Sequence, residues 1–184
     1  DEFLKDATEV DVDILRDNKG SVMIAGIMEH IEEAGIHSGD SACSIPTFSL
    51  DNNIIDQIKK FTINLANSLE TIGLMNVQYA VKNKDIYILE ANPRASRTIP
   101  FLAKALGIPF IRIAASLIAG KLLSKDIMEI DTNKLPYFAI KEAVFPFNKF
   151  PNTDVILGPE MKSTGEVMGI DEDFDIAFFK SQLA

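Results

Sequence analysis

"LMNVQYAVKNKDIYILEANPRASR", residues 74–97, decides how the rest of this chain is read. Two stretches of strand-like alternation flank Asn83, Lys84 and Asp85, residue types that turn a chain, so the segment predicts a β-hairpin. A three-residue loop at 83–85 sets Gln78 opposite Glu90 and Asn76 opposite Asn92. Side chains alternate across a strand, so these four share one face, and Val77, Tyr79, Val81, Tyr87 and Leu89 fill the other as core. A two-residue loop would break that register.

A strand end that only has to turn uses Gly, Asn or Asp. This one places a carboxylate, an amide, a proline and two arginines between Glu90 and Arg97. Glu, Gln and Asn oxygens are the hard ligands Mg2+ takes, commonly one or two from protein, completed by phosphate and water. Arg94 and Arg97 are forks suited to phosphoryl oxygens. An anionic ligand carrying a metal is one reading. A solvated sheet face with surface arginines is the other, since polar strand faces are common.

The chain as a whole sets bounds. Its 184 residues, 47% hydrophobic, suit one medium domain, or one and a small extension, with a real core. A net charge of -9 argues against broad contact with nucleic acid or an anionic membrane, so an anionic ligand must be held locally. One cysteine, Cys43, rules out an internal disulfide and suits a reducing, cytoplasmic setting, with the thiol as a small buried apolar group. No charged segment with an apolar core opens the chain, and no apolar run reaches the roughly 18 residues of a membrane span. Asp1 in place of Met, with a strand pattern inside ten residues, predicts a piece of a longer polypeptide.

Outward from the hairpin, "EVDVDILRD" from Glu9 alternates acid and apolar residues, "NKG" at 18–20 is a turn, and "SVMIAGIMEHI" pairs back on it. Residues 34–42 are loop chemistry. Helical spacing from Asp51 to Leu69 puts Ile54, Ile55, Ile58, Phe61, Leu65 and Leu69 on one face, with Asp51 as N-cap and Gly73 as the stop. Two helices follow the hairpin, the first closing at Gly107 before Pro109. Strand patterns return in "YFAIKEAVFPF" and "GEVMGI", and a helix begins near Asp173. On residue chemistry alone, Glu9 is an ordinary exposed acid and His37 a structural loop residue. Glu29, Glu32 and Glu33 are a solvated run, and "FNKFP" and "EMKSTGE" are surface turns without a catalytic role.

Residues 73–101 resemble the metal-and-phosphate hairpin of ATP-grasp enzymes. Joined to "GIMEHIEEAGIHSGDSAC" (26–43) and "FPFNKFPNTDVILGPEMKSTGEVMGI" (145–170), they resemble the large-chain family of carbamoyl phosphate synthetases, across essentially the whole chain. The family's large chain holds two similar ATP-grasp halves, and the 28–43 wording resembles the second. That half phosphorylates carbamate to carbamoyl phosphate, within a glutamine-, bicarbonate- and ATP-dependent reaction that feeds arginine and pyrimidine biosynthesis.

The resemblance implies an α+β fold: the C-terminal portion of an incomplete ATP-grasp domain at 1–124, an antiparallel sheet with flanking helices, and a following α/β segment at 125–184 packed on it. It implies that Gln78 and Glu90, with Asn92, ligate Mg2+ or Mn2+ on ATP, and that Arg94 and Arg97 stabilise the transferring phosphoryl group. Glu9 matches the carboxylate that holds the ribose. Gly35, Ile36, His37 and Ser38 match a nucleotide-contacting turn, and a K+ ion belongs near Glu9, His30 and Ser41. The implied partners are ATP, carbamate, other portions of the large chain and a glutaminase small chain, with no nucleic acid and no membrane. The family's phosphate-covering loop should precede Asp1 and a regulatory domain should follow, so the isolated piece is expected to be inactive. Two alternatives remain. Another ATP-grasp carboxylate ligase or kinase would keep the hairpin without the 37–43 and 158–169 blocks. A non-catalytic module would tolerate loss of Gln78, Glu90 or Asn92, all of which are present.

Overall fold

The computed structural model describes residues 4–150 and 152–184. Asp1, from which a longer polypeptide was inferred, and Pro151 of the "FNKFP" turn lie outside the described residues. The strands are β1 (Thr8–Arg16), β2 (Val22–His30), β3 (Cys43–Ile45), β4 (Gly73–Lys82), β5 (Asp85–Asn92), β6 (Phe138–Val144) and β7 (Gly165–Asp171). Among the described residues these seven form one sheet in the order β5-β4-β1-β2-β3-β6-β7. Every pairing in it is antiparallel. The helices are α1 (Asn52–Ser68), α2 (Thr98–Leu106), α3 (Phe110–Ile118), the short α4 (Lys125–Met128) and α5 (Phe174–Leu183). Short β3, which the sequence pattern does not announce, joins β2 to β6, so residues beyond 125 extend the same sheet.

Alternation on β1 and β4 splits the core in two. Val10, Val12, Ile14, Met75, Val77 and Tyr79 face α1. Leu15, Met23, Leu74 and Ile45 lie on the other side, under α2 and α3. The α2 helix comes so near β2 that a Cβ at Gly26 would sit 2.6 Å from Leu102. Gly107 closes α2 in the left-handed conformation (φ 68°), as its position predicts.

Helix α1 corrects two expectations. Its buried stripe is Ile54, Ile55, Ile58, Thr62 and Ala66, while Phe61 and Leu69 are 37% and 50% exposed. At 3.6 residues per turn, 58/62/66 and 61/65/69 are neighbouring ridges. The ridge with small side chains lies against the sheet, where the Thr62 and Tyr79 hydroxyls meet at 2.7 Å. Gly73 (φ 94°) does not end the helix; it opens β4, and the chain reverses earlier at Glu70 (φ 51°). Asp51 occupies the N-cap position without a side-chain capping bond. Arg16 ties this corner together, donating to Asn67 Oδ1 at 2.8 Å and the Thr71 carbonyl at 2.9 Å.

The β4–β5 hairpin differs from the expected one in its turn. Asn83 and Lys84, with φ of 52° and 73°, make a two-residue turn, and Lys82 pairs with Asp85. Continued unbroken, that register would set Gln78 against Leu89 and rotate Glu90 to the α1 side. A bulge in the ladder next to Gln78 and Tyr79 absorbs one residue of β5, so Gln78 faces Glu90 and Asn76 faces Asn92 after all. The expected core role of Tyr87 and Leu89 does not hold. They are 41% and 46% exposed, because the two-residue turn sets Tyr87 opposite Ala80 on the Gln78 face, Leu89 is the bulged residue, and β5 is the outermost strand. Glu29 corrects the solvated acidic run: it is fully buried and accepts from Phe48 N at 2.8 Å and Ser49 N at 2.9 Å.

Candidate functional site

The ladder places polar residues in rows across three strands. Asp11 of β1 pairs with Gln78 of β4, which pairs with Glu90 of β5; one step on, Asp13, Asn76 and Asn92 form a second row. The next row on the same face is Leu15 and Leu74, where the apolar core begins. Opposed side chains in antiparallel strands stand about 5 Å apart, so register alone gathers six hydrogen-bonding groups on one patch. Asp11 and Asp13 were not singled out from sequence. The β1–β4 pairing that brings them in is a long-range contact with no local signal.

Around this patch lies a cleft of about 200 Å³, lined by His37, Ser38, Gln78, Glu90, Arg94 and Arg97 among others. A second hollow of about 300 Å³ shares His37, Ser38, Gln78 and Glu90 and adds Glu9, Gly35 and Ile36. The two are parts of one depression. Asn92 lines neither, and its amide donates to Glu90 Oε1 at 2.7 Å. The structure therefore gathers the residues singled out from sequence around one opening, with Asn92 attached through Glu90.

The loop at 35–41 owes its shape to a distant segment. His37 N donates to the Gly158 carbonyl at 2.8 Å, Lys162 N and Ser163 N donate to the Asp40 carboxylate at 2.7 and 2.9 Å, and Ser163 Oγ donates to the Gly39 carbonyl at 3.0 Å. Met161 lies 2.9 Å from where a Cβ on Gly39 would be. "EMKSTGE" is thus a brace for the loop rather than a plain surface turn. From the sheet below, fully buried Lys141 donates to the Ser38 carbonyl at 3.0 Å. Within the loop, Gly39 N donates to His37 Nδ1 at 3.0 Å and fixes the ring.

Charge in the depression is mostly negative. Glu9, far from an ordinary exposed acid, has a side chain only 13% exposed; it accepts from Gly35 N at 2.9 Å and lies 3.6 Å from His30 Nδ1. The other ring nitrogen of His30 is 2.9 Å from Asp11. Burial pushes the Asp13 carboxyl up to about 6, with the Asp11 charge adding to it and hydrogen bonds from Thr98, Ser96 and Asn76 opposing it. Burial also raises Glu166, against the pull of Lys141 and Arg97. Arg97 packs against the Met161 sulfur, and exposed Arg94 donates to the Ala95 carbonyl at 3.0 Å. Cys43 is buried with its thiol pushed up to about 12, so it is packing rather than nucleophile.

A metal here would need help from its ligand. Among the described residues no three His, Cys, Asp or Glu side chains converge on one point. One carboxylate, Glu90, with the amide oxygens of Gln78 and Asn92 matches a hard divalent cation whose remaining positions are filled by phosphate and water. Elsewhere the Ser41 hydroxyl is buried with no hydrogen-bond partner among the described residues, an oxygen suited to a monovalent cation.

The family described as "Carbamoyl-phosphate synthase L chain, ATP binding domain" matches residues 1–126. The carbamoyl phosphate synthase large chains of Archaeoglobus fulgidus and a Nostoc species are 58% and 55% identical over the whole chain, which spans 17% of each. A Methanocaldococcus jannaschii protein named as the C-terminal section of the large chain is 52% identical, and this chain spans 31% of it. By structure, a Campylobacter jejuni biotin carboxylase solved with β,γ-ATP aligns with a TM-score of 0.65 at 18% identity, covering 79% of this chain and 31% of that one. That likeness gives the fold: part of an ATP-grasp-like domain, an antiparallel sheet with flanking helices.

Proposed function

The chain belongs to the carbamoyl-phosphate synthase large-chain family, as part of its ATP-binding domain, and from that premise we propose that it forms the metal and phosphate side of the site that phosphorylates carbamate. The observation that carries this reading is the polar row Asp11-Gln78-Glu90, with Asn76 of the row beside it, lining one cleft together with Arg94 and Arg97. Two guanidinium groups suit an anion, yet carboxylates outnumber them there. A polyphosphate arriving with its own divalent cation satisfies both. The full-length match to a relative named as a C-terminal section supports the second of the two ATP-dependent halves.

In this reading Glu90 and Gln78, with Asn92, would hold Mg2+ or Mn2+, and the ion would supply charge neutralisation for the phosphates of ATP. Arg94 and Arg97 bind the phosphoryl oxygens as charge shifts during transfer. Such transfer asks for position and electrostatics more than covalent help from protein. Glu9 and the Gly35, Ile36, His37 and Ser38 loop hold the nucleoside end, where the second hollow lies. Orphaned Ser41 Oγ, with Glu9 and His30, provides oxygens and a ring for K+. The intact large chain then works with a glutaminase small chain as ammonia source. It does so in the cytoplasm, serving arginine and pyrimidine biosynthesis, and the piece alone is inactive.

The test is calorimetric titration with Mg-ATP of the chain and of the full-length large chain, each beside Glu90→Gln. Binding that Glu90→Gln removes supports the site. Equal binding by the variant in both contexts, or carbamate phosphorylation unaffected by it in the full-length chain, sinks it.

A further inference from the structure

The loop from Pro93 to Arg97 joins the end of β5 to the start of α2 and carries both arginines. Its own backbone holds it only lightly: the Arg94 N–H donates to the Asn92 carbonyl at 2.8 Å. Its side chains hold it to β1. Ser96 Oγ donates to Asp13 Oδ2 at 2.9 Å and Thr98 Oγ1 donates to the same oxygen at 2.5 Å. Asn76 Nδ2 donates to the other carboxylate oxygen at 3.2 Å. Arg97 sits between two residues anchored to one atom more than eighty positions earlier in the chain.

Asp13 is an expensive way to make that anchor. It is fully buried, and all three of its partners are neutral. Nearby His30 is engaged with Asp11 and Glu9, and the Arg97 guanidinium is turned to the Met161 sulfur. No ion pair to Asp13 occurs among the described residues. A buried carboxylate without a counter-charge is selected against by folding, so its retention points to a task in the site.

We infer that Asp13 is a positioning residue for phosphoryl transfer, acting through Ser96 and Thr98 to fix where Arg94 and Arg97 stand. This rests on the reading of the arginines given above. Loosening the anchor leaves both guanidinium groups in place chemically but lets them wander, and misplacement by about 1 Å costs on the order of 10²-fold in rate.

The experiment is a double-mutant cycle on ATP-dependent carbamate phosphorylation by the full-length large chain. Asp13→Ala should lower kcat by roughly tenfold to a hundredfold with the KM for ATP changed less than about threefold. The pair Ser96→Ala, Thr98→Val should reproduce most of that loss, and it carries the test if Asp13→Ala does not fold. Asp13→Asn, which keeps an acceptor oxygen, should fall between wild type and Asp13→Ala. On an Arg94→Ala, Arg97→Ala background, either change should cost less than about threefold more, because the groups it positions are gone. Unchanged kcat in the anchor variants, or a loss of undiminished size on the arginine-free background, overturns the inference alone. If the arginine substitutions themselves leave kcat intact, the phosphoryl reading of the site fails and the inference with it.

Discussion

Asp13→Asn should make the protein more stable at neutral pH, by an amount that fades as the solution is acidified. Asp13 Oδ2, Ser96 Oγ and Thr98 Oγ1 form a triangle with sides of 2.9, 2.5 and 2.7 Å. Two hydroxyl protons cannot serve three short contacts. Burial, with the Asp11 charge adding to it, favours the neutral form and pushes the carboxyl up from 3.8 to about 6 against the hydrogen bonds from Thr98, Ser96 and Asn76, and the proton so held serves the third contact. Because the folded value lies above the unfolded one, the folded state binds the extra proton. The stability this group contributes is fully present below about 3.8 and is lost as pH rises through about 6. Moving the carboxyl from 3.8 to about 6 corresponds to about 3 kcal/mol at most. Asn never ionises and escapes that loss, but with its oxygen turned to both hydroxyls its amide nitrogen meets the Asn76 amide, another donor, which offsets part of the gain. In a chain of this size 1 kcal/mol moves Tm by roughly 2–4 °C, so Asp13→Asn should melt above wild type at pH 7.5, by no more than roughly 6–12 °C, with that advantage mostly gone by pH 4. Thermal unfolding followed by circular dichroism at four or five pH values measures it, and differencing cancels the other carboxylates. A gap independent of pH, or an Asn variant less stable than wild type at pH 7.5, would refute the reasoning.

Three further expectations concern other parts of the structure. Gly169→Ala puts a Cβ 2.0 Å from the Ala177 carbonyl oxygen and 2.6 Å from Ser181 N, so α5 must shift; a loss of about 2 kcal/mol or more in urea unfolding is expected, and an unchanged midpoint counts against the packing described. Lys141→Met fills the same buried volume but abandons the Ser38 carbonyl, which should weaken Mg-ATP binding roughly tenfold by calorimetry while the fold persists; unaltered affinity removes the brace from the account. Arg97→Lys in the full-length chain replaces a fork by a point charge and should cut phosphorylation on the order of tenfold, an effect that wild-type kcat would contradict.

The polar face of the hairpin was legible because alternation is local: Gln78, Glu90, Asn76 and Asn92 are related by strand period and one turn. Their partners Asp11 and Asp13 were visible as alternating acids, but nothing nearby in sequence says that β1 lies beside β4. The burial of Tyr87 and Leu89 was misjudged because the two-residue turn and the bulge reassign their faces, and because a strand's place in the sheet, edge or centre, is a property of topology. The α1 stripe was half right, since two adjacent ridges satisfy the same periodicity and close packing against Tyr79 chose the one with Thr62 and Ala66. The role of 158–163 in shaping the 35–41 loop spans more than a hundred residues and leaves no mark on either segment.

The bulge beside Gln78 works as slack in the hairpin. Because it takes up one residue between the tip and the Glu90 end, those ends need not keep step: deletion of Lys84 would leave Asn83 and Asp85 as the turn, set Lys82 against Ile86, and iron out the bulge with Glu90 still opposite Gln78. The tip can thus lose a residue without moving the carboxylate, so the length of the turn is not what holds Glu90 opposite Gln78.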